Sequence, residues 1–253
     1  MIRLIVHGCN RKMGKNVVSA ARNNGGFEVV AGVDKLASAS REDFPIYSRL
    51  IEVKEKADVV IDFSHHTAIP DLLEDATHMK IPVVIATTGL NEAEHHVVIE
   101  KSNYIPIFMS ANMSLGINLL IKLVVQAAQV LYKSSDIEIV EKHHNQKLDA
   151  PSGTAFMIAN AINQALSNTL HFTYGRSPQS GKREKSELGI HAIRGGTIVG
   201  EHEVIFAGPD EILEIKHIAQ SRAIFAQGAL KAAEFIIGKQ PGLYSMKDLL
   251  EKG

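Results

Sequence analysis

His143 and Lys147 stand in the stretch Glu141-Lys-His-His-Asn-Gln-Lys-Leu-Asp-Ala-Pro-Ser-Gly-Thr-Ala155, which packs a titratable base, a cation and a helix start into a few residues. A histidine titrating near neutrality can exchange a proton, and a lysine can donate one or neutralise a carboxylate. Asp136 to Glu141 alternates polar and apolar residues as a half-buried strand does, and Ala155 to Ile162 reads as a helix, so the polar stretch joins a strand end to a helix start. Pro151 suits a first helical turn. Ser152 and Thr154 can satisfy free amides there or turn toward a ligand. The amides of Gly153 and Thr154 would point outward, and that turn, at the positive end of a helix, is an anion site. Ser152, Gly153 and Thr154 are therefore candidate substrate contacts beside His143 and Lys147. A solvated loop with its cap would explain the segment alone; its neighbours argue for more.

Positioning such a site takes a scaffold, and the amino-terminal part describes one. Met1 to Val6 is a short apolar run that enters the turn Gly8-Cys-Asn-Arg-Lys-Met-Gly14, followed by a helical stretch, Lys15 to Asn23, and a second strand, Phe27 to Val33. Asp34 then falls about twenty residues past Gly14, a spacing that suits a dinucleotide site with the pyrophosphate on the helix start and the acid on the adenine ribose. Arg11 stands where a glycine would be expected, and a plain strand-turn-helix would read the same way. Lys35, Arg11 and Lys12 supply positive charge for a 2′-phosphate, so both NADH and NADPH are expected to bind. Three further apolar runs, Ala57 to Phe63, Ile81 to Ala86 and Ile105 to Met109, alternate with helical stretches. That pattern predicts a parallel sheet covered on both faces, with ligands beyond the carboxyl ends of its strands, where Ser64, Ala86-Thr87-Thr88-Gly89 and Ser110 to Ser114 lie.

With these blocks in view the chain resembles the dihydrodipicolinate reductases over nearly its whole length. The blocks are Lys12-Met13-Gly14, Asp62-Phe-Ser64 with Thr87-Thr-Gly89, the Glu141 to Ala155 stretch, and Ile193 to His202 running on to His217 through Ala229. The resemblance implies a two-domain oxidoreductase that reduces a cyclic dicarboxylate of lysine (diaminopimelate) biosynthesis with NADH or NADPH. By that match His143 is the acid/base and Lys147 a proton donor or substrate contact, while His144, Gly153 and Thr154 meet the substrate. Ala86, Thr88, Ser110 and Met113 fall toward the nicotinamide, and Arg222 near the coenzyme. The glycine-turn and loop matches put Gly8, Lys12, Met13, Gly14, Asp34, Lys35, Ser64 and Thr87 in the coenzyme site. Arg11, Ala86, Met113 and Asn145 depart from the usual family pattern. A homotetramer built through the second domain is also implied.

The expected fold is α/β: a Rossmann-type domain of residues 1–114 and 222–253, and an α+β substrate-binding and oligomerisation domain of residues 115–221 with a mixed, largely antiparallel sheet. Strands are expected over 134–141, 170–174, 189–194, 196–207 and 211–216, a mobile loop over 176–186, and a closing helix over 221–238 that packs back on the first domain. Lys plus Arg at 27 against Asp plus Glu at 28 leaves no charge excess for nucleic acid or a membrane surface. The lone Cys9 excludes an intrachain disulfide, and no secretory leader precedes the first strand, so a cytoplasmic protein is expected. Leu115 to Leu131 is apolar but interrupted by Asn118, Lys122 and Gln126, which favours an amphipathic helix over a membrane span. Twelve histidines invite a metal, yet the adjacent pairs diverge on either strand or helix, so no metal is expected. Two other readings stay open: an aspartate dehydrogenase or similar enzyme, and a coenzyme-binding sensor without chemistry.

Overall fold

The computed structural model describes residues 1–35 and 42–251. It divides into two compact units, Met1–Leu115 with Arg222–Gly253, and Gly116–Ser221.

The first unit is a seven-stranded sheet. In chain order its elements are β1 (Ile2–His7), α1 (Lys12–Asn24), β2 (Phe27–Val33), β3 (Ile46–Tyr47), β4 (Val59–Asp62), α2 (Ile69–Met79), β5 (Val83–Ile85), α3 (Glu92–Lys101) and β6 (Pro106–Met109). After the second unit the chain adds α6 (Ala223–Ile236), β12 (Gly242–Tyr244) and α7 (Met246–Glu251). The order is β12-β6-β5-β4-β1-β2-β3, and every pairing is parallel. Parallel pairing explains the unbroken apolar runs, because both faces need cover. Leu4, Val6, Val59 and Ile61 pack with Val17, Ala21, Leu230 and Ala233 of α1 and α6. Their alternates Ile5, Val60, Val83 and Ile85 pack with Leu72, Leu73, Ala76 and Val98 of α2 and α3. Ile61 is fully enclosed, so truncation to alanine would cost about 2–5 kcal/mol. The order reverses between β1 and β4, and in such sheets that crevice takes the ligand.

The second unit contains α4 (Leu115–Leu131), β7 (Asp136–His143), α5 (Gly153–Ala165), β8 (His171–Tyr174), β9 (Glu187–Arg194), β10 (Gly200–Ala207) and β11 (Ile212–Ala219). Its five-stranded sheet has the order β11-β10-β7-β9-β8. β10 runs antiparallel to β11 and β7, whereas β7–β9 and β8–β9 are parallel, because α5 and the 175–186 segment act as crossovers. Ile137, Ile139, Leu188, Ile190, Val204 and Phe206 bury one face against Leu120, Val124, Ile158 and Ile162 of α4 and α5. Among the described residues no helix is long and apolar enough to cross a membrane.

Two local expectations are corrected. Segment 176–186 is pinned rather than loose: Arg183 bonds Asp136 and Glu138 and donates to the Ile137 and Glu187 carbonyls, while Arg176 bridges Glu138 and Glu187. The glycine turn is also shorter than read, since α1 begins at Lys12 and takes Met13 and Gly14 into its first turn.

Candidate active site

β7 continues two residues beyond the expected strand end, to His143, in a strict alternation of half-buried and buried positions. Glu141 and His143 therefore share the covered face with Ile137 and Ile139. Glu141 is fully enclosed. Its Oε2 accepts from His143 Nδ1 at 2.6 Å and from Arg194 at 2.8 Å. Its Oε1 accepts from Arg194 at 2.7 Å and from the Ser152 amide at 2.9 Å. Burial pushes the Glu141 carboxyl up, but the Arg194, His143 and Ser152 hydrogen bonds outweigh it and hold it below its ordinary value. Burial lowers the His143 imidazole, and Glu141 opposes that only in part, with the charges of Lys147 and Arg194 adding to the lowering.

His202 of β10 faces Glu141 across the register, and its ring meets that of His143 edge-on at 5.2 Å. Burial and the neighbouring His143 push His202 down to about 4. Its Nε2 lies 3.0 Å from the Ser152 hydroxyl. That hydroxyl also accepts from the Ala155 amide, so Ser152 is the enclosed cap of α5. Gly153 opens α5 on the exposed side, with nothing near the place a Cβ would occupy. The intervening loop is fastened: Gly195 N–H donates to His143 O, Asn145 N–H to Gly196 O, and Arg194 to Asp149 O. Lys147 pairs with Asp149 at 2.8 Å, which holds the Asp149 carboxyl below its usual range. His144 follows the strand, half-buried, and its carbonyl accepts from the Lys147 amide. Glu141, Arg194 and His202 escaped sequence reasoning as site residues. Extending the alternation to His143 would have exposed Glu141; Arg194 and His202 lie about fifty residues away, where no local pattern reaches.

In the first unit a cavity of about 500 Å³ opens at the strand-order reversal, lined among others by His7, Gly8, Arg11, Asp34, Lys35 and Ser64. Gly8 has φ +79°, and a Cβ there would come within 2.7 Å of the Phe63 carbonyl, so only glycine fits. Arg11 occupies the N-cap position of α1 at φ −77°, a conformation open to any residue, so an arginine in place of glycine brings no backbone strain. Asp34 accepts from the Asn10 amide at 3.2 Å. Gly14 lets α1 approach the turn, since a Cβ would lie 2.1 Å from the Gly8 carbonyl. Thr87, just past β5, keeps its Oγ1 enclosed, with no hydrogen-bond partner among the described residues. A tight turn at a helix start, an acid at the end of β2 and an unsatisfied hydroxyl at the same sheet edge fit a dinucleotide.

Other candidates lie outside the cavity lining. Lys12 and Met13 are in α1, and Thr88 is exposed beyond β5. Ala86 and Met113 are core residues, 7% and 2% exposed. Ser110 bonds the Asn112 carbonyl at 2.8 Å, and Arg222 precedes α6. Burial pushes the Cys9 thiol up to about 11, so it packs rather than reacts.

Family models described as the amino- and carboxy-terminal parts of dihydrodipicolinate reductase match residues 2–113 and 116–250. The 4-hydroxy-tetrahydrodipicolinate reductase of Caldanaerobacter subterraneus subsp. tengcongensis is 64% identical over 253 residues, all of both chains. That of Clostridium tetani is 48% identical, covering 99% of this chain and 97% of its own. Among solved structures, a dipicolinate-bound dihydrodipicolinate reductase from Paenisporosarcina sp. TG-14 superposes with a TM-score of 0.81 at 24% identity, covering 97% of each chain, which speaks for the fold. These relatives set aside the aspartate dehydrogenase and the sensor. The chain belongs to the dihydrodipicolinate reductase family, oxidoreductases that use NADH or NADPH to reduce 4-hydroxy-tetrahydrodipicolinate in lysine biosynthesis.

Proposed function

We propose that His143 is the acid of this reduction, that Lys147 neutralises a substrate carboxylate beside it, and that the start of α5 holds a second carboxylate. The observation that carries this reading is the Glu141–His143 pair, set at 2.6 Å at the end of β7 just ahead of the exposed Gly153. Gly153 and Thr154 begin the helix, where outward amides and the dipole favour an anion. Ser152 supports that turn as its cap, and His144 flanks it. Asp149 holds Lys147 until a substrate carboxylate exchanges for it. The bound coenzyme supplies the hydride, since no side chain can. The ring 4-hydroxyl must leave as water, the conjugated imine so formed takes the hydride, and His143 delivers the proton that quenches the electron-rich ring, an effect of ~10²- to 10⁴-fold for a well-placed acid.

The coenzyme belongs, in this reading, to the cavity of the first unit. Gly8 and the amino end of α1, with Lys12, Met13 and Gly14, take the pyrophosphate, and Asp34 takes the adenine ribose. Arg11 and Lys35 accept a 2′-phosphate, so both coenzymes serve. Ser64, Ala86, Thr87, Thr88, Ser110, Met113 and Arg222 complete the site. Residues 1–114 and 222–253 thus form the coenzyme domain, and 115–221 the substrate and oligomerisation domain. Exposed Ile193, Ile212, Leu213 and Ile218 on the second sheet favour a homotetramer, to be measured by light scattering. A biosynthetic role on a soluble substrate supports a cytoplasmic location.

Coenzyme absorbance tests the whole reading, with substrate made in place from aspartate semialdehyde and pyruvate by a separate synthase, and NADH and NADPH supplied in parallel. Oxidation that depends on the synthase and collapses in His143→Ala is expected. Undiminished turnover in that variant removes His143 from the chemistry.

A further inference from the structure

We propose that Glu141, clamped by Arg194, is a positioning residue for the reduction: it fixes the His143 ring with Nδ1 as donor, making Nε2 the nitrogen that exchanges the proton, while Gly200 keeps that edge clear. The proposal rests on His143 being the acid. Glu141 receives four hydrogen bonds, two on each oxygen, from Arg194, His143 and the Ser152 amide. With both arms of Arg194 and one amide filling its other sites, the carboxylate has no freedom to turn, and the imidazole bonded to it has little. A carboxylate can only accept, so Nδ1 carries the hydrogen and the tautomer is set. At the opposite edge, a Cβ on Gly200 would lie 3.1 Å from Nε2, tighter than ordinary contact. The first residue of β10 therefore places no side chain against the reactive nitrogen.

A pair that only stapled β7 to β9 would need Arg194 and Glu141 alone. Those strands already pair in register, with His143 opposite Arg194, so a staple adds little. What the staple does not require is the third donor, His143. The charged and titratable groups around that ring are Glu141 from β7, Lys147 from the following loop, Arg194 from β9 and His202 from β10, with the Ser152 cap of α5 beside them. Glu141 is the one among them that favours the imidazolium.

The test is the pH dependence of kcat in Glu141→Gln, in Glu141→Gln/Arg194→Met, which leaves no unmatched charge, in Gly200→Ala, and in His143→Ala. Glu138→Gln, on the other face of the same strand, is the control. If His143 acts as an acid, activity falls as pH rises through its titration. Loss of Glu141 should move that limb to lower pH by ~1–3. It should also cut kcat ~10- to 10⁴-fold, as when a carboxylate-oriented histidine loses its tautomer, with coenzyme KM within about 2-fold. The double variant should recover folding by circular dichroism but not the limb, and Gly200→Ala should lower kcat. An unmoved limb in both Glu141 variants, alongside a collapsed His143→Ala, overturns the positioning role and spares the acid. An equal displacement in Glu138→Gln also overturns it, by reducing the effect to net charge. Wild-type kcat in His143→Ala overturns both readings together.

Discussion

β7 carries two glutamates, Glu138 and Glu141, on its opposite faces, and each collects arginine and histidine. Glu138 binds Arg183 at 2.8 Å, His191 at 2.8 Å and Arg176 at 3.1 Å. Its side chain stays 19% exposed, and its arginines are shared with Asp136 and Glu187. Glu141 is fully enclosed and holds one arginine in both arms. Burial raises each carboxyl and charged hydrogen bonds more than reverse it. The composition of the two clusters is thus nearly the same, and what differs is water. On the outer face, charges brace the 176–186 segment at modest energetic worth. On the inner face, the same chemistry is desolvated, so orientation is enforced and a missing partner is costly.

Turnover should break the comparison most visibly. His143→Ala is expected to lose ~10²- to 10⁴-fold in kcat. His191→Ala, which removes the equivalent imidazole of the outer cluster, should stay within about 2-fold in the same assay. Comparable losses in both would mean that the histidines act through the fold rather than through proton transfer. Stability should separate the glutamates next. In urea, Glu141→Gln leaves Arg194 facing a neutral amide in an enclosed site and should cost about 3–5 kcal/mol. Glu138→Gln should cost about 1 kcal/mol, because solvent reaches its partners. Equal losses would place both carboxylates in the same dielectric.

The two faces should also titrate in different windows. His202 is held at about 4 in the folded chain against 6.5 ordinarily. As pH falls below 6.5 the unfolded chain takes up a proton that the folded chain refuses. The stability is therefore intact above 6.5, declines down to about 4, and amounts to about 3 kcal/mol. His143 and His217, also lowered by burial, steepen the same window. Glu138, with its carboxyl held below the ordinary 4.5, contributes stability that is lost only at lower pH. Urea midpoints at pH 7, 5.5 and 4.5 should flatten in His202→Gln and keep their slope in Glu138→Gln.

Much of the fold is legible in the sequence, and the reason is local. Parallel strands covered on both faces read as apolar runs, as at Val59 to Ile61 and Val83 to Ile85, and the period-two pattern of Asp136 to Glu141 marks a strand with one covered face. The histidine and lysine of the candidate site were visible for the same reason, being close in sequence to a helix start. Glu141 was passed over because its role depends on sharing a face with His143, and the polar run after it hid the last two strand residues. Arg194 and His202 reach the site through strand pairings that join distant parts of the chain, and periodicity carries no information about which strand becomes whose neighbour. The 176–186 segment shows the opposite failure. Its glycine, proline and cations read as a loose loop, yet the acids that fix it lie on β7 and β9.

The smallest expected effect is also the most direct probe of solvent. Screening length falls from roughly 30 Å at 0.01 M salt to roughly 3 Å at 1 M, and it acts through water. The Glu138 cluster, partly wet, should lose most of its contribution over that range, so the cost of Glu138→Gln should shrink by a few tenths of a kcal/mol toward zero. The Glu141 carboxylate is fully enclosed, and of its ion pair with Arg194 only the arginine reaches solvent, so the cost of Glu141→Gln should change less than that of Glu138→Gln. Parallel urea titrations of both variants at the two salt concentrations measure this. A Glu141 as salt-sensitive as Glu138 would mean that water enters beneath β7, and the enforced orientation of His143 would lose its physical basis.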